Sequence, residues 1–204
     1  QSAIQTWAGP LNVVWYSDKP GPGVSHVVSH PDGNSYRQIT WRMLLIWKHV
    51  ATHYPNYDWY VRVWDDNYII QDTFEALADF YQPDDLVEIG RLGLYDGHTF
   101  VGGGASSLLS RGAMRVWSEG IEECTEMLSG LRGLRCAFYC EDVMISRCRS
   151  KMGIRFERGW GLYSHGPAHQ REMNISYNDI ACRREGIFQH GDQVQSVPRS
   201  FHYL

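Results

Sequence analysis

The sequence predicts an α/β fold in which a mostly parallel central sheet is flanked by helices. Apolar runs of strand length, at residues 57–64 and 86–90, alternate with longer segments at 37–50 and 72–81. In the longer segments the apolar residues recur at helical spacing. The chain has 204 residues, of which 43% are hydrophobic, and it contains no repeat, low-complexity tract or linker. We therefore expect one domain that spans residues 1–204.

The remaining predicted elements continue this alternation along the chain. They are strands at 12–16 and 154–156, helices at 110–117 and 141–152, and a long irregular segment at 159–196.

The net charge and the distribution of basic residues argue against two classes of partner. The net charge is −4 and there is no long basic run, so nucleic acid and anionic membrane are poor candidates. No segment approaches the ~20 apolar residues of a membrane span. Eight Trp and twelve Tyr are many for this length. Such rings build sugar- or base-stacking surfaces, and they also pack cores.

All five cysteines lie in the second half of the chain. They lack the Cys-x-x-Cys spacing of a zinc site, which favours disulfides or buried thiols, with at least one cysteine left over. Residues 174–176 read Asn-Ile-Ser, an N-glycosylation acceptor in a secreted protein. A first residue that is Gln rather than Met is typical of a processed or trimmed chain. These features favour an oxidising compartment.

Acidic residues follow two predicted strands, Asp18 after the first and Asp65 with Asp66 after the next. In open α/β sheets ligands bind beyond the carboxyl ends of the strands. Oxygen ligands there, completed by His202 near the end of the chain, suit a hard cation that neutralises a diphosphate leaving group. The alternatives are a solvated turn for the two acids and a packed, hydrogen-bonded role for the histidine.

Two further segments are candidates for chemistry. Residues 102–104 are three consecutive glycines, which allow a ligand or a neighbouring backbone to approach closely, or form a tight turn. They are not a P-loop, because no Gly-Lys-Ser/Thr follows. Glu141 and Asp142 begin a predicted helix, where the helix dipole favours acids. The functional alternative is that one of them is a general base.

These parts occur in an order that resembles a known family. Residues 59–68 read WYVRVWDDNY and resemble the Trp-Phe-x-Lys-x-Asp-Asp-Asp-Thr-Tyr motif of the Fringe and core-1 β1,3-galactosyltransferase family. The resemblance covers nearly the whole chain in co-linear order, except for residues 168–196. Its other segments are QTWA at 5–8, QITWR at 38–42, FVGGGA at 100–105, LS at 109–110, CED at 140–142, SHGP at 164–167 and SFHY at 200–203.

The resemblance implies a GT-A fold and an inverting glycosyltransferase that uses a UDP-sugar and Mn²⁺. Such an enzyme moves a hexose (Gal, Glc or GlcNAc) to a hydroxyl of a glycan or glycoprotein. It also implies the Golgi lumen or secretion as the location.

Residue by residue, the resemblance assigns Asp142 as the base that deprotonates the acceptor hydroxyl. Asp66 and His202 match the ligands of the Mn²⁺ ion, and Gly103 and Gly104 would line the sugar site.

The donor site is expected to include further residues. We assign Asp18, Arg42 and Asp65 to donor binding, together with Asp66 and the two glycines. Acceptor-binding residues are not assigned.

Trp64 departs from the family pattern, because it stands where the motif has its first Asp. An indole has no lone pair for a cation and accepts no hydrogen bond from a ribose. Asp65 could compensate, or metal use could be weakened or lost. Two alternatives therefore stay open: a glycosyltransferase-like binding or chaperone protein without turnover, and a nucleotide-sugar hydrolase.

A disulfide is also expected from the resemblance, in which Cys148 is similar to a half-cystine of the family. We predict a Cys136–Cys148 bridge or, failing that, a Cys124–Cys136 bridge.

Overall fold

A computed structural model describes residues 8, 11–29, 38–65, 67–95, 97–130, 140–159, 162 and 200–202. Within these residues the fold is mixed α/β, with four α-helices and four small sheets. The helices are α1 (Ile39–His53), α2 (Gln71–Ala78), α3 (Arg111–Gly130) and α4 (Glu141–Lys151).

Ten strands are described. They are β1 (Tyr16–Ser17), β2 (His26–Val27), β3 (Trp59–Arg62), β4 (Asn67–Ile69), β5 (Val87–Gly90), β6 (Leu92–Tyr95), β7 (His98–Val101), β8 (Ser107–Ser110), β9 (Arg155–Arg158) and β10 (Ser200–His202).

The largest sheet has the order β3-β8-β5-β9. Strand β8 is antiparallel to both of its neighbours, and β5–β9 is the one parallel pairing in this sheet. The expectation of a mostly parallel central sheet is therefore not confirmed. The cause is β8, which lies between β3 and β5 and runs antiparallel to both.

Beside the central sheet lies the β6–β7 hairpin, which turns at Gly97 with a φ of 73°. This positive φ is a conformation that glycine adopts without steric cost. The hairpin delivers the chain into the glycine-rich segment at residues 102–104.

The main hydrophobic core lies between α1, α3, α4 and the sheet. Trp47 of α1 and Trp117 of α3 are both buried in it. The guanidinium of Arg149, from α4, lies over both indoles at 4.4 and 4.8 Å from their ring centroids. A cation between two desolvated rings is held by the ring quadrupoles as well as by packing.

Helices α3 and α4 are joined by a disulfide between Cys124 and Cys148, whose Cα atoms are 5.5 Å apart. The expectation of a disulfide is confirmed, but both predicted pairings are wrong, because Cys124 and Cys148 bond to each other. Both cysteines lie on the buried faces of packed helices, a proximity that sequence spacing does not show. Cys140 is also disulfide-bonded. Cys136 lies outside the described residues.

Candidate functional site

The link between β3 and β4, which we call the acidic turn (residues 64–67), contains both candidate aspartates. The backbone amide of Asn67 donates to the carbonyl of Trp64 at 3.1 Å and closes a tight turn. Asp65 is exposed, and its role in donor binding stays a prediction. Asp66 lies outside the described residues.

A second turn, the glycine turn (residues 102–106), connects β7 to β8 through one short 3₁₀ segment. Its last residue, Ser106, has a φ of 67° although it is not a glycine. Such a backbone conformation costs roughly 1–3 kcal/mol and persists only where the surroundings impose it. The Ser106 hydroxyl donates to Asn67 Oδ1 at 2.9 Å, so the acidic turn supplies part of that constraint.

Asn67 holds the two turns together. Its side chain is buried, its Nδ2 donates to the Gly104 carbonyl at 3.1 Å, and its Oδ1 also accepts the Trp64 amide at 3.0 Å. The side chain of Trp64 makes another contact between the two turns. Its indole Nε1 donates to the Gly103 carbonyl at 2.9 Å. The position that departs from the family motif is thus hydrogen-bonded to the predicted sugar-binding turn.

Asp142 reaches the glycine turn from the start of α4. Its Oδ2 accepts the Gly103 amide at 3.1 Å, and its Oδ1 accepts the Val143 amide at 2.9 Å. Asp142 is half-buried, and an ionised carboxylate has about four lone-pair sites. The predicted base therefore lies against the predicted sugar site and has capacity to accept a further hydrogen bond.

The neighbouring acid, Glu141, has a different environment. Its Oε2 accepts a hydrogen bond from Arg62 Nη1 at 2.9 Å, and both side chains are buried. Burial raises the pKa of Glu141, while the facing Arg62 guanidinium acts in the opposite direction. This carboxylate is committed to an internal ion pair. Asp142 is therefore the better placed of the two for contact with a ligand.

The Arg62–Glu141 ion pair also explains why residue 103 is a glycine. A Cβ atom added at Gly103 would overlap Glu141 Oε1 and would lie 3.2 Å from Arg62 Nη2. Real Cβ atoms do not tolerate such an approach to a polar atom that is fixed by an ion pair. Residue 103 must therefore be Gly for the turn to lie against α4.

A second buried ion pair lies between the sheet and α4. Arg149 Nη1 is 2.7 Å from Glu88 Oε1, and the two side chains are only 1% and 2% exposed. Burial lowers the pKa of Arg149, and Glu88 acts against that effect. The two pairs join strands β3 and β5 to the helix that carries Asp142.

Asp18 and Arg42, both assigned to donor binding, lie close together. Asp18 Oδ2 is 3.8 Å from Arg42 Nη1, and the side chains are 32% and 18% exposed. Asp18 follows β1, and Arg42 lies in the first turn of α1. The strand end and the helix start thus meet, and the assignment of both residues to donor binding stays a prediction.

His202 lies on β10, which pairs antiparallel with β4 so that the backbone of His202 is opposite Asn67. The chain end is therefore beside the acidic turn, next to the residue that follows Asp66. This register is compatible with a shared cation site, and the positions of the two ligating side chains stay a prediction. Among the described residues, no three His, Cys, Asp or Glu side chains form a metal-binding group.

Sequence reasoning missed Asn67 and Arg62 as parts of the site. A signal for Arg62 was present, because it stands one strand repeat after the apolar Tyr60 and so shares its inward face. An inward-facing arginine needs a buried acid. Asn67 carried no comparable signal, since asparagine at the end of a turn is also common on exposed surfaces.

A group of aromatic rings, the histidine cluster, joins β1 and β2 to α1. The ring centroids of His26 and His49 are 4.2 Å apart, and those of His49 and His53 are 4.1 Å apart. The Tyr16 hydroxyl is hydrogen-bonded to His49 Nδ1 at 2.8 Å. Burial and then Tyr54 raise the pKa of Tyr16 to about 12. Burial, followed by His53 and His26, lowers the pKa of His49.

The histidine cluster predicts a loss of stability in acid. Because the pKa of His49 is lower in the folded than in the unfolded chain, the unfolded chain binds more protons below about pH 6.5. The free energy of unfolding should fall as pH decreases through that value. Thermal melts between about pH 8 and pH 5 should show a shallower dependence for His49→Gln than for the wild type. His98→Gln, at an exposed histidine of β7, serves as the control. An equally steep dependence in His49→Gln would contradict this account.

Comparisons with known proteins give a distant relationship. The chain matches no protein-family model. It is 26% identical to human chondroitin sulfate synthase 3 over 172 residues, covering 74% of this chain and 19% of that protein. The chain thus spans about a fifth of the length of this relative, which is a glycosyltransferase. Among the described residues no helix is long and apolar enough to cross a membrane. The match supports a glycosyltransferase relationship at the general level, and the resemblance to the Fringe and core-1 family stays a prediction.

Proposed function

We propose that this chain is an inverting β1,3-glycosyltransferase of the secretory pathway. It would transfer a hexose from a UDP-sugar to a hydroxyl group of a glycan or glycoprotein. One observation carries the proposal: the Gly103 amide bonds to the Asp142 carboxylate. This contact joins Asp142 to the glycine turn, although the two are 39 positions apart in the sequence, and it supports a role for both in one site. The distant glycosyltransferase relative and the disulfides agree with the reaction and with the compartment.

In the proposed reaction, Asp142 removes the proton of the acceptor hydroxyl, and the oxygen attacks the anomeric carbon from the face opposite UDP. The new glycosidic bond forms as the bond to UDP breaks, so the configuration inverts. Asp142 keeps the proton. The Gly103 amide holds one carboxylate oxygen in place, which leaves the remaining lone pairs for the hydroxyl. Asp18, Arg42, Asp65 and Gly104 would contact the donor.

Asp66 and His202 are the residues proposed to hold a divalent cation, Mn²⁺ or a related ion. Carboxylate oxygen and imidazole nitrogen are both ligands that such ions accept. A bound cation neutralises the charge that develops on the departing diphosphate. Support for this pair of ligands comes from the pairing of β10 with β4, which brings the backbone of His202 beside the acidic turn.

Calorimetry of UDP binding, with and without Mn²⁺, tests the proposal. We expect UDP to bind more tightly when Mn²⁺ is present, and Asp66→Asn to remove that difference. Asp79→Asn, the same change in an exposed acid after α2, should leave it unchanged. A screen of UDP-Gal, UDP-GlcNAc and UDP-Glc with glycan acceptors should then show UDP release from one donor. Failure to bind UDP under either condition would contradict the proposal.

The second candidate is a glycosyltransferase-like binding protein without turnover. Two observations favour it: both hydrogen bonds described for the Asp142 side chain come from backbone amides, and Trp64 replaces a carboxylate. UDP binding without UDP release from any donor would support this candidate over the enzyme.

A further inference from the structure

We infer that Trp64 is a positioning residue for Asp142, and that it acts through Gly103. This inference rests on the proposed function, because it concerns how the proposed base is held. Without the structure, a tryptophan at this position looks like the loss of a metal ligand. The hydrogen bond of its indole to Gly103 points to a positioning role instead.

The connection has two steps. The Trp64 indole donates to the carbonyl oxygen of Gly103, and the amide of the same residue donates to Asp142 Oδ2. Because the bonds lie on either side of one residue, they fix both its carbonyl and its amide direction. The two bonds together restrain both peptide planes that meet at Gly103, so loss of the indole bond should leave this residue freer to move.

Because residue 103 is a glycine, its backbone needs an external restraint such as the indole hydrogen bond. Residue 103 cannot carry a side chain, since a Cβ atom would overlap Glu141, and glycine has more backbone freedom than any other residue. A free glycine turn would place its amide over a range of orientations. The indole restricts that range, and the tryptophan itself is held because its ring packs against the main core.

Asn67 has a related but separate contact. It bonds to the carbonyl of Gly104 and the hydroxyl of Ser106, so it fixes the remainder of the glycine turn. Replacing the indole should therefore loosen Gly103 without unfolding the whole turn. Because Asn67 and Trp64 contact different residues of the glycine turn, the role of Trp64 can be tested by changing that residue alone.

An aspartate at position 64 should not perform this task. An ionised carboxylate is an acceptor only, and it would face the carbonyl oxygen of Gly103 without a hydrogen to share. In this chain, restoring the family residue should therefore weaken the site. If Trp64 were only a lost metal ligand, the same change should improve the enzyme.

The test compares Trp64→Phe and Trp64→Asp with Trp59→Phe. The first variant keeps an aromatic ring and removes the N–H group. Trp59→Phe makes the same chemical change on β3, at a residue that packs against a second cluster of buried residues, which includes Val87 and Ile89. For each protein we would measure kcat, KM for the UDP-sugar, and hydrogen exchange of the Gly103 amide by NMR without ligand.

For Trp64→Phe we expect kcat to fall by about 2- to 10-fold, the effect of one hydrogen bond, with little change in the donor KM. Exchange of the Gly103 amide should accelerate. Trp64→Asp should lose at least as much activity, and Trp59→Phe should match the wild type in kcat and amide exchange. Unchanged exchange in Trp64→Phe, or higher activity in Trp64→Asp than in the wild type, would overturn the inference. The exchange measurement needs no turnover, so it tests the inference even if the wild type transfers no sugar.

Discussion

Asp142→Asn is expected to reduce sugar transfer by about 10²–10⁴-fold, the range typical of lost general-base catalysis. Asparagine has nearly the same shape but cannot accept the proton of the acceptor hydroxyl. It has one acceptor oxygen where the aspartate uses two, for the amides of Gly103 and Val143. One of these bonds is lost, so we also expect a stability loss of about 1 kcal/mol. Initial rates with saturating donor, together with thermal melts, would separate the two effects.

Glu141→Gln is the matched control, because it makes the same chemical change in the adjacent residue. Glu141 is ion-paired with Arg62 in the interior, so this variant should lose stability, by roughly 3–5 kcal/mol if the guanidinium is left uncompensated. At a temperature where it stays folded, it should keep more transfer activity than Asp142→Asn. Full activity in Asp142→Asn would show that Asp142 is not the base.

Arg149→Met is expected to be among the most destabilising single changes in this chain. It would leave the Glu88 carboxylate, now 2% exposed, without its cation in the protein interior. It would also remove the guanidinium from between the indoles of Trp47 and Trp117. Removing one partner of a buried pair costs about 3–5 kcal/mol. Urea unfolding should show this loss as a lower midpoint with an unchanged m-value.

Two controls accompany that measurement. Arg155→Met breaks a more exposed pair with Glu157, 3.4 Å long, and should cost about 1 kcal/mol or less. The double variant Glu88→Gln/Arg149→Met removes both charges, and we expect it to be more stable than Arg149→Met alone. A double variant less stable than the single one would contradict the view that an unpaired carboxylate causes the loss.

The helices were predictable because burial imposes a period on the sequence. Apolar residues recur at helical spacing over 37–50, and the structure has a helix at Ile39–His53. Helix α4 was predicted at 141–152 and spans Glu141–Lys151. Helix α3 was predicted only to residue 117 but continues to Gly130. Its second half is rich in exposed acids, which weakens the apolar signal.

The direction of the strands was not predictable in the same way. Strand β8 is four residues long and runs directly into α3, and it was not among the predicted strands. Without β8 the remaining strands were assigned to a parallel sheet. The β6–β7 hairpin did leave a signal, because Asp96-Gly97 is a favoured hairpin turn. Attention to that dipeptide would have indicated antiparallel pairing.

The candidate site was predictable as a set of residues but not as a network. The family resemblance brought together Gly103 and Asp142, and the structure places them in direct hydrogen-bond contact. The Trp64 bond to Gly103 was not foreseen, because the hydrogen-bonding partner of an indole depends on how two distant turns pack. The disulfide pairing failed for the same reason, since Cys124 and Cys148 meet only when α3 and α4 pack together.

The most direct test of the central claim is the anomeric configuration of the product. The purified chain would be incubated with Mn²⁺, an α-linked UDP-hexose and a glycan acceptor, and the new linkage would be determined by NMR. Because Asp142 is proposed to activate the acceptor on the face opposite UDP, we predict a β-linked product formed in step with UDP release. An α-linked product, or release of free hexose without transfer, would contradict the account.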